Sequence, residues 1–312
     1  MYDEMPRKLT VIGAGSVGTA TAYASLIRGS ASTIALYDIN EPKVDAEVLD
    51  LAHGSQFMLA SKVMGGADLA VTENSDVIVI TAGAKQKPGQ TRLDLATQNV
   101  AILESLLPAL AERSPNAVYV LVTNPVDVLT YVATKILDLP QGRIFGSGTV
   151  LDSSRLRWLI GEHLNISPRS VHAMMIGEHG DSEFALWSSA NIGQIPIREW
   201  RDDDGTLAFS EEKLASIEHD VINAAYRIIE GKGATNYAIG VSAARIVEAI
   251  LGHHNAVLPV SSVEGDVAIS VPSLVGRAGV TRRLNVALDD AEQARLDYSI
   301  ATLQKSIKTV GY

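Results

Sequence analysis

The 312-residue chain contains no cysteine. Disulfides, thiol nucleophiles and cysteine-ligated zinc are excluded together. Hydrophobic residues make up 46% of the chain, yet no apolar run is long enough to cross a bilayer. That apolar content is the material of a large buried core. The segment from Met1 to Lys8 carries Asp3, Glu4, Arg7 and Lys8 and has no apolar stretch of the kind a secretory signal needs, which predicts a cytoplasmic protein. Positive charge is in deficit: 26 Lys and Arg against 36 Asp and Glu give a net charge of −10. Nucleic acid and anionic membranes are poor partners for such a chain. An anionic substrate would need local arginines to overcome the global field. No internal repeat, low-complexity tract or long linker interrupts the sequence.

What is present begins with a repeating pattern. Leu9–Ile12, Ile34–Tyr37, Val77–Ile80 and Val118–Val122 are short, continuous apolar runs rich in β-branched residues, as expected of strands buried on both faces. Helical stretches separate them: Val17, Ala20, Ala24 and Ile27 line one face, and 41–59 and 94–112 also read as helices. Alternation of this kind predicts an α/β fold, a doubly wound parallel sheet with right-handed crossovers. Past Ser147 the pattern changes. Helices are expected at 153–163, 211–230, 238–251 and 290–310, and antiparallel strands at 256–263, 267–271 and 283–288. The chain is therefore divided into residues 1–147 and a second, α+β substrate domain at 148–312.

Gly13-Ala14-Gly15-Ser16-Val17-Gly18 is a G-x-G-x-x-G that follows a strand and opens a helix, the context in which it binds a dinucleotide. Gly13 allows the tight turn, Gly15 the close approach of backbone to a pyrophosphate, and Gly18 the packing of helix on strand. The helix N-terminus offers free N–H groups to the phosphates. Asp38, 20 residues after Gly18 at the end of the second strand, is placed to accept hydrogen bonds from ribose hydroxyls and to repel a 2′-phosphate. NAD is expected rather than NADP, in a Rossmann-type domain; a glycine turn in an unrelated α/β fold is the alternative.

Four further motifs stand in order: Gly83-Ala84-Lys85-Gln86-Lys87-Pro88-Gly89-Gln90-Thr91-Arg92, Thr123-Asn124-Pro125-Val126-Asp127, Leu151-Asp152-Ser153-Ser154-Arg155 and Gly177-Glu178-His179-Gly180-Asp181-Ser182. Together with the glycine loop, over nearly the whole chain, they resemble the bacterial L-lactate dehydrogenases of the lactate/malate dehydrogenase superfamily. The resemblance implies hydride transfer between NAD and a small 2-hydroxy acid, usually in a homotetramer. It implies His179 as general acid/base, Asp152 as the carboxylate orienting it, and Arg155 as the bidentate partner of the substrate carboxylate. Arg92 would polarise the ketone from a loop that closes over substrate, and Asn124 would lie near nicotinamide and reacting oxygen. Thr235 would line the substrate pocket, although Asn236 after it departs from the commonest pattern. Val17, Lys43, Ala82, Gly83, Val122 and Ser147 would line the cofactor. Read without the resemblance, Asp152 and Arg155 are three apart and make a simple helix salt bridge.

Gln86 stands where the malate enzymes of the superfamily carry an arginine for the second carboxylate. Burying an unpaired carboxylate costs several kcal/mol, so a neutral Gln86 favours pyruvate and lactate, unless Lys85 or Lys87 reaches inward. A malate dehydrogenase and a 2-hydroxyacid dehydrogenase of broad specificity are the alternatives; a Rossmann-fold binding module would lack the His179, Asp152 and Arg155 set. Arg157 and His172 match the positions where activatable relatives bind fructose 1,6-bisphosphate. Arg157, two residues past Arg155, points to a different face of its helix. No metal site is expected. The His253-His254 pair has no patterned carboxylates beside it, and 201–205 reads as a charged turn. The remaining histidines, His53, His163 and His219, read as structural or surface residues.

Overall fold

The computed structural model describes residues 7–59, 62–84, 92–252 and 255–312, with the side chains of residues 92 and 93 outside that set. Six strands form the parallel part of the sheet: β1 (Lys8–Ile12), β2 (Thr33–Tyr37), β3 (Lys62–Gly66), β4 (Val77–Ile80), β5 (Val118–Leu121) and β6 (Ile144–Gly146). Their spatial order is β3-β2-β1-β4-β5-β6, the doubly wound arrangement that leaves a crevice at the carboxyl ends of the strands where the order reverses. Helices α1 (Ser16–Arg28), α2 (Glu41–Gly54), α3 (Arg92–Arg113) and α4 (Val126–Ile136) connect them.

The second half contributes α5 (Val150–Leu164), the two-residue strands β7 (Val171–His172), β8 (Met175–Ile176), β9 (Phe184–Ala185), β10 (Asn191–Ile192) and β11 (Ile195–Pro196), helices α6 (Glu211–Lys232) and α7 (Tyr237–Leu251), strands β12 (Ala256–Glu264), β13 (Val267–Gly276) and β14 (Gly279–Arg283), and α8 (Asp290–Thr309). The three long antiparallel strands join the parallel sheet, β12 pairing with β6 through Ser261 and Gly146, so that one sheet of nine strands results.

Each face of that sheet buries its own core. Leu9, Val11, Ile34 and Val79 face α1 and α7 through Ala22, Leu26, Ile246 and Val247. Ile12, Ile78 and Ile80 face α3, α4 and α8 through Leu103, Leu107, Leu129, Val132, Leu303 and Ile307. The runs read as strands are apolar but for Thr10, whose buried hydroxyl is paired with that of Ser75 at 2.6 Å, because both faces are covered. A third core, including Leu156, Ile160, Met175, Phe209, Leu214 and Ile217, holds α5 and α6 to the small strands.

Two expected elements are corrected. The helix read over 41–59 ends at Gly54 and gives way to a 3-10 turn at Ser55–Phe57. The strand read at 283–288 lies at Gly279–Arg283. The hairpin turn sits between the paired Gly276 and Gly279, the latter at φ +87°, so β14 starts at once. Leu284 N–H donates to the Pro272 carbonyl at 2.8 Å, and Pro272 has no N–H to return, so the ladder stops there.

Candidate active site

The residues assigned to the cofactor collect at the carboxyl ends of β1, β2, β4, β5 and β6. Gly13 takes φ +103°, a conformation open to glycine, and its N–H donates to the Tyr37 carbonyl at 2.7 Å. A Cβ on Gly18 would stand 1.8 Å from the Gly13 carbonyl oxygen, whereas one on Gly15 would meet nothing within 4 Å. Gly18 is thus required by packing, and the space over Gly15 is open. Gly15 caps α1 with no side-chain hydrogen bond, and the first turn of α1 carries no acidic residue. Its N–H groups and positive dipole end remain for an anion. Asp38 Oδ2 accepts the Ala14 N–H at 2.7 Å and Oδ1 the Asn40 N–H at 3.0 Å, which fixes the half-exposed carboxylate beside the glycine turn. Val17 is half-buried in the first turn of α1 and Lys43 is exposed in that of α2. Ala82 and Gly83 follow β4, Val122 follows β5 and Ser147 follows β6. This cradle fits a pyrophosphate and an adenine ribose.

The proton-handling group is assembled from three elements. Thr149 Oγ1 donates to the Met175 carbonyl at 2.6 Å, and Ser153 Oγ accepts the Met175 N–H at 2.9 Å. The first turn of α5 is thereby tied to β8. Gly177, at φ +101°, exchanges N–H···O bonds with Ser270 of β13 at 2.9 and 3.0 Å. Asp127, in the first turn of α4, accepts the His179 N–H at 2.7 Å. His179 Nδ1 donates to Asp152 Oδ2 at 2.7 Å, and Arg155 Nη1 to Asp152 Oδ1 at 2.5 Å. A quarter of the His179 side chain is accessible while Asp152 is sealed at 1%. Nδ1 is engaged, so Nε2 is the nitrogen left for a ligand.

Burial works against a charged His179, but the charge and hydrogen bond of Asp152, with Glu183 and Asp127 beyond, outweigh it and push its pKa up to about 10. Burial likewise opposes ionisation of Asp152, yet His179 and Arg155 hold its carboxyl below the ordinary range. Burial pushes Asp127 up to about 6. Glu183, 3.9 Å from His179 Nδ1, is raised well above the usual value by burial and by Asp152. Asp152, His179 and Glu183 have the spacing of metal ligands. Two first-row-metal ligand atoms on one ion, each at about 2.0 Å, stand about 3 Å or more apart. The 2.7 Å Nδ1–Oδ2 separation is that of a hydrogen bond.

The structure brings His179, Asp152 and Arg155 together and places Asn124 at the end of β5. Its carbonyl accepts Asn99 Nδ2 at 2.8 Å and its Oδ1 the Val126 N–H at 3.3 Å. Thr235 is half-buried between α6 and α7. Gln86, Lys85, Lys87 and the His253-His254 pair lie outside the described residues, and of Arg92 only the backbone, opening α3, is described. Arg157 turns away from Arg155: its Nε donates to the Ala173 carbonyl at 2.8 Å, behind the exposed His172. Sequence reasoning missed four polar residues around the site. Asp127 lay unassigned inside a quoted motif. Asn99 also accepts the Ala84 N–H at 2.8 Å. Glu183 and Ser299 carried no local signal.

Comparison with known proteins identifies the family. Residues 7–146 match the family model described as lactate/malate dehydrogenase, NAD binding domain, and residues 149–311 that of the lactate/malate dehydrogenase alpha/beta C-terminal domain. Among curated relatives, an L-lactate dehydrogenase of Bifidobacterium animalis subsp. lactis is 48% identical, with 98% of each chain covered. One of Kosmotoga olearia is 46% identical, over 97% of this chain and 96% of the relative. Among solved structures, a lactate dehydrogenase from a Medee basin deep-sea metagenome library superimposes with a TM-score of 0.94 at 37% identity, covering 99% of this chain and 100% of the other. The minor L-lactate dehydrogenase of Enterococcus mundtii gives 0.93 at 38% identity, with 98% of each covered.

Proposed function

The chain belongs to the lactate/malate dehydrogenase family and is an NAD-dependent oxidoreductase, and from that premise we propose that it reduces pyruvate to L-lactate and runs the reverse oxidation. The observation that carries the assignment is the His179–Asp152–Arg155 cluster, in which one buried carboxylate holds both an imidazole and a guanidinium. When bound, the reduced nicotinamide supplies the hydride that reaches the ketone carbon. His179, held charged by Asp152, donates its Nε2 proton to the ketone oxygen and becomes neutral; in the oxidative direction it takes that proton back. Arg155 spends one N–H on Asp152, and the four others of the guanidinium are available to a carboxylate in a planar fork. Arg92 would polarise the ketone, Asn124 would contact nicotinamide and substrate, and Thr235 would close the pocket. Residues 1–147 would hold NAD and residues 148–312 the substrate. The names of the relatives support lactate over malate, as does a neutral Gln86.

The assembly we propose is a homotetramer activated by fructose 1,6-bisphosphate at Arg157 and His172. A panel of pyruvate, oxaloacetate and longer 2-oxo acids with NADH and NADPH tests the reaction. The highest kcat/KM is expected for pyruvate with NADH; a preference for oxaloacetate overturns the assignment.

A further inference from the structure

The C-terminal helix reaches the catalytic loop through one hydroxyl. Ser299 lies in the middle of α8, wholly buried, and 121 and 117 residues away in sequence from the two loop residues it touches. Hydroxyls inside a helix ordinarily bond back to a carbonyl of the preceding turn, and those of α8 do so: Thr302 to Tyr298 at 2.9 Å, Ser306 to Thr302 at 3.0 Å and Thr309 to Ser306 at 2.6 Å. Ser299 Oγ instead accepts the Glu178 N–H at 2.6 Å and lies 3.0 Å from Ser182 Oγ. Ser182 Oγ–H in turn donates to Glu178 Oε2.

The directions of these bonds follow from the groups. An ionised carboxylate only accepts, so the Ser182 proton goes to Glu178. The Ser182 oxygen then accepts from Ser299 O–H, whose own oxygen is taken by the Glu178 N–H. The three bonds form a closed ring, each donor feeding the next, and such chains strengthen one another at low dielectric. His179 sits inside the span from Glu178 to Ser182 that the ring closes. The approach is close enough to constrain the sequence: a Cβ on Gly177 would stand 3.0 Å from Ser299 Oγ. Asp127 holds the same loop from α4 by the His179 N–H at 2.7 Å. The loop is therefore held by α4 at the backbone of the histidine itself and by α8 at the residue before it, beside the Gly177–Ser270 pair and the Tyr226 hydroxyl, which donates to Asp181 Oδ1 at 2.9 Å.

We propose that Ser299 is a positioning residue for the reaction, holding the loop so that the His179 ring stays aligned with Asp152. The inference rests on His179 being the acid/base. A displacement of about 1 Å in a catalytic group costs on the order of 10²-fold, so loss of the anchor next to His179 is expected to lower kcat by roughly tenfold or more. It leaves NADH binding in place, because Ser299 is remote from the glycine turn.

The test compares Ser299→Ala, Ser182→Ala, the double variant and His179→Asn in steady-state pyruvate reduction, with NADH affinity and thermal midpoint measured on each. Both single variants are expected to lose kcat with NADH affinity kept. Both should also move the high-pH fall of kcat/KM toward lower pH, as the imidazole loses its aligned carboxylate. The double variant should be little worse than the worse single one, because the ring acts as a unit. Unchanged kcat and pH profile in folded Ser299→Ala overturn the proposal, as does a lowered thermal midpoint with kcat untouched. If Ser299→Ala does not fold, Ser182→Ala carries the same two outcomes from the loop side. An active His179→Asn removes the acid/base reading itself, and the positioning proposal with it. An inactive one beside an unaffected Ser299→Ala removes the positioning proposal alone.

Discussion

Asp152 divides its carboxylate between a histidine and an arginine, and that division sets what each does. One oxygen faces His179 Nδ1 and the other Arg155 Nη1, with the carboxyl sealed from water. Replacing Asp152 by Asn keeps an acceptor of the same shape and removes the charge. Burial, which lowers the His179 pKa, then acts against a much weaker opposing field. Pyruvate reduction needs charged His179, so the wild-type kcat/KM should fall only as pH rises toward the histidine's value of about 10. In Asp152→Asn that fall should begin at lower pH, and the rate near neutrality should drop by about 10²–10⁴-fold as the acid is lost. Profiles of kcat/KM against pH for both proteins decide it; an unmoved limb would show that the Asp152 charge does not act on His179. Arg155→Leu separates the other half. Truncating one partner of a buried charge pair costs about 2–5 kcal/mol, so the pyruvate KM should rise by tens- to thousands-fold while NADH affinity holds. An unchanged KM would leave Arg155 as no more than the i,i+3 partner of Asp152.

At the scale of elements, the turn between β1 and α1 separates a glycine needed by the fold from one needed by the ligand. Gly18→Ala places a methyl 1.8 Å from the Gly13 carbonyl, and overpacking of this kind costs typically about 1–3 kcal/mol. Its thermal midpoint should fall. Gly15→Ala meets nothing within 4 Å and asks for no unusual backbone conformation, with φ −77°. Its midpoint should stay while NADH affinity drops, because the methyl enters the space left for a pyrophosphate. Equal loss of stability in both variants would refute the distinction. This turn was legible in the sequence because its spacing, strand and helix are all local. The strands it overlooked had weaker signatures. Lys62–Gly66 ends in two glycines and lies at the sheet edge, and Ile144–Gly146 is three residues long. Helix α4, buried over eight consecutive residues from Val126 to Ala133, is a short and largely apolar segment of the kind that is hard to tell from a buried strand. The union of β12 with β6 rests on the Ser261–Gly146 pairing, a contact between distant segments that no local pattern carries. The same holds in the site. His179, Asp152 and Arg155 could be named from motifs, whereas Glu183 and Ser299 acquire meaning only from what surrounds them.

Regulation is a property of the whole molecule, and the activation proposed above would depend on more than one copy of the chain. Tyr23 and Ile27 on α1 and Tyr237 and Val241 on α7 are exposed apolar residues on two helices packed so closely that a Cβ on Gly240 would stand 2.7 Å from Ala20. Such a surface supports burial against another subunit. Arg157 and His172 lie elsewhere, the arginine braced on the Ala173 carbonyl at 2.8 Å and the histidine exposed on β7. A two-fold axis beside them would bring two copies of each together, four potential cations for the two phosphates of fructose 1,6-bisphosphate. Without the anion these charges repel, which disfavours the assembled state; with it they are bridged, and the active state gains by the ligand's differential affinity. The strand bearing His172 leads through Met175–Ile176 into the loop of His179, so the proposed effector site and the proposed acid/base would share one stretch of backbone. The expected result at low enzyme concentration is a pyruvate saturation curve that fructose 1,6-bisphosphate shifts to lower substrate. The shift should be lost in Arg157→Gln. A wild-type curve unmoved by the effector ends the hypothesis of activation, and a response that survives Arg157→Gln moves the site away from this pair.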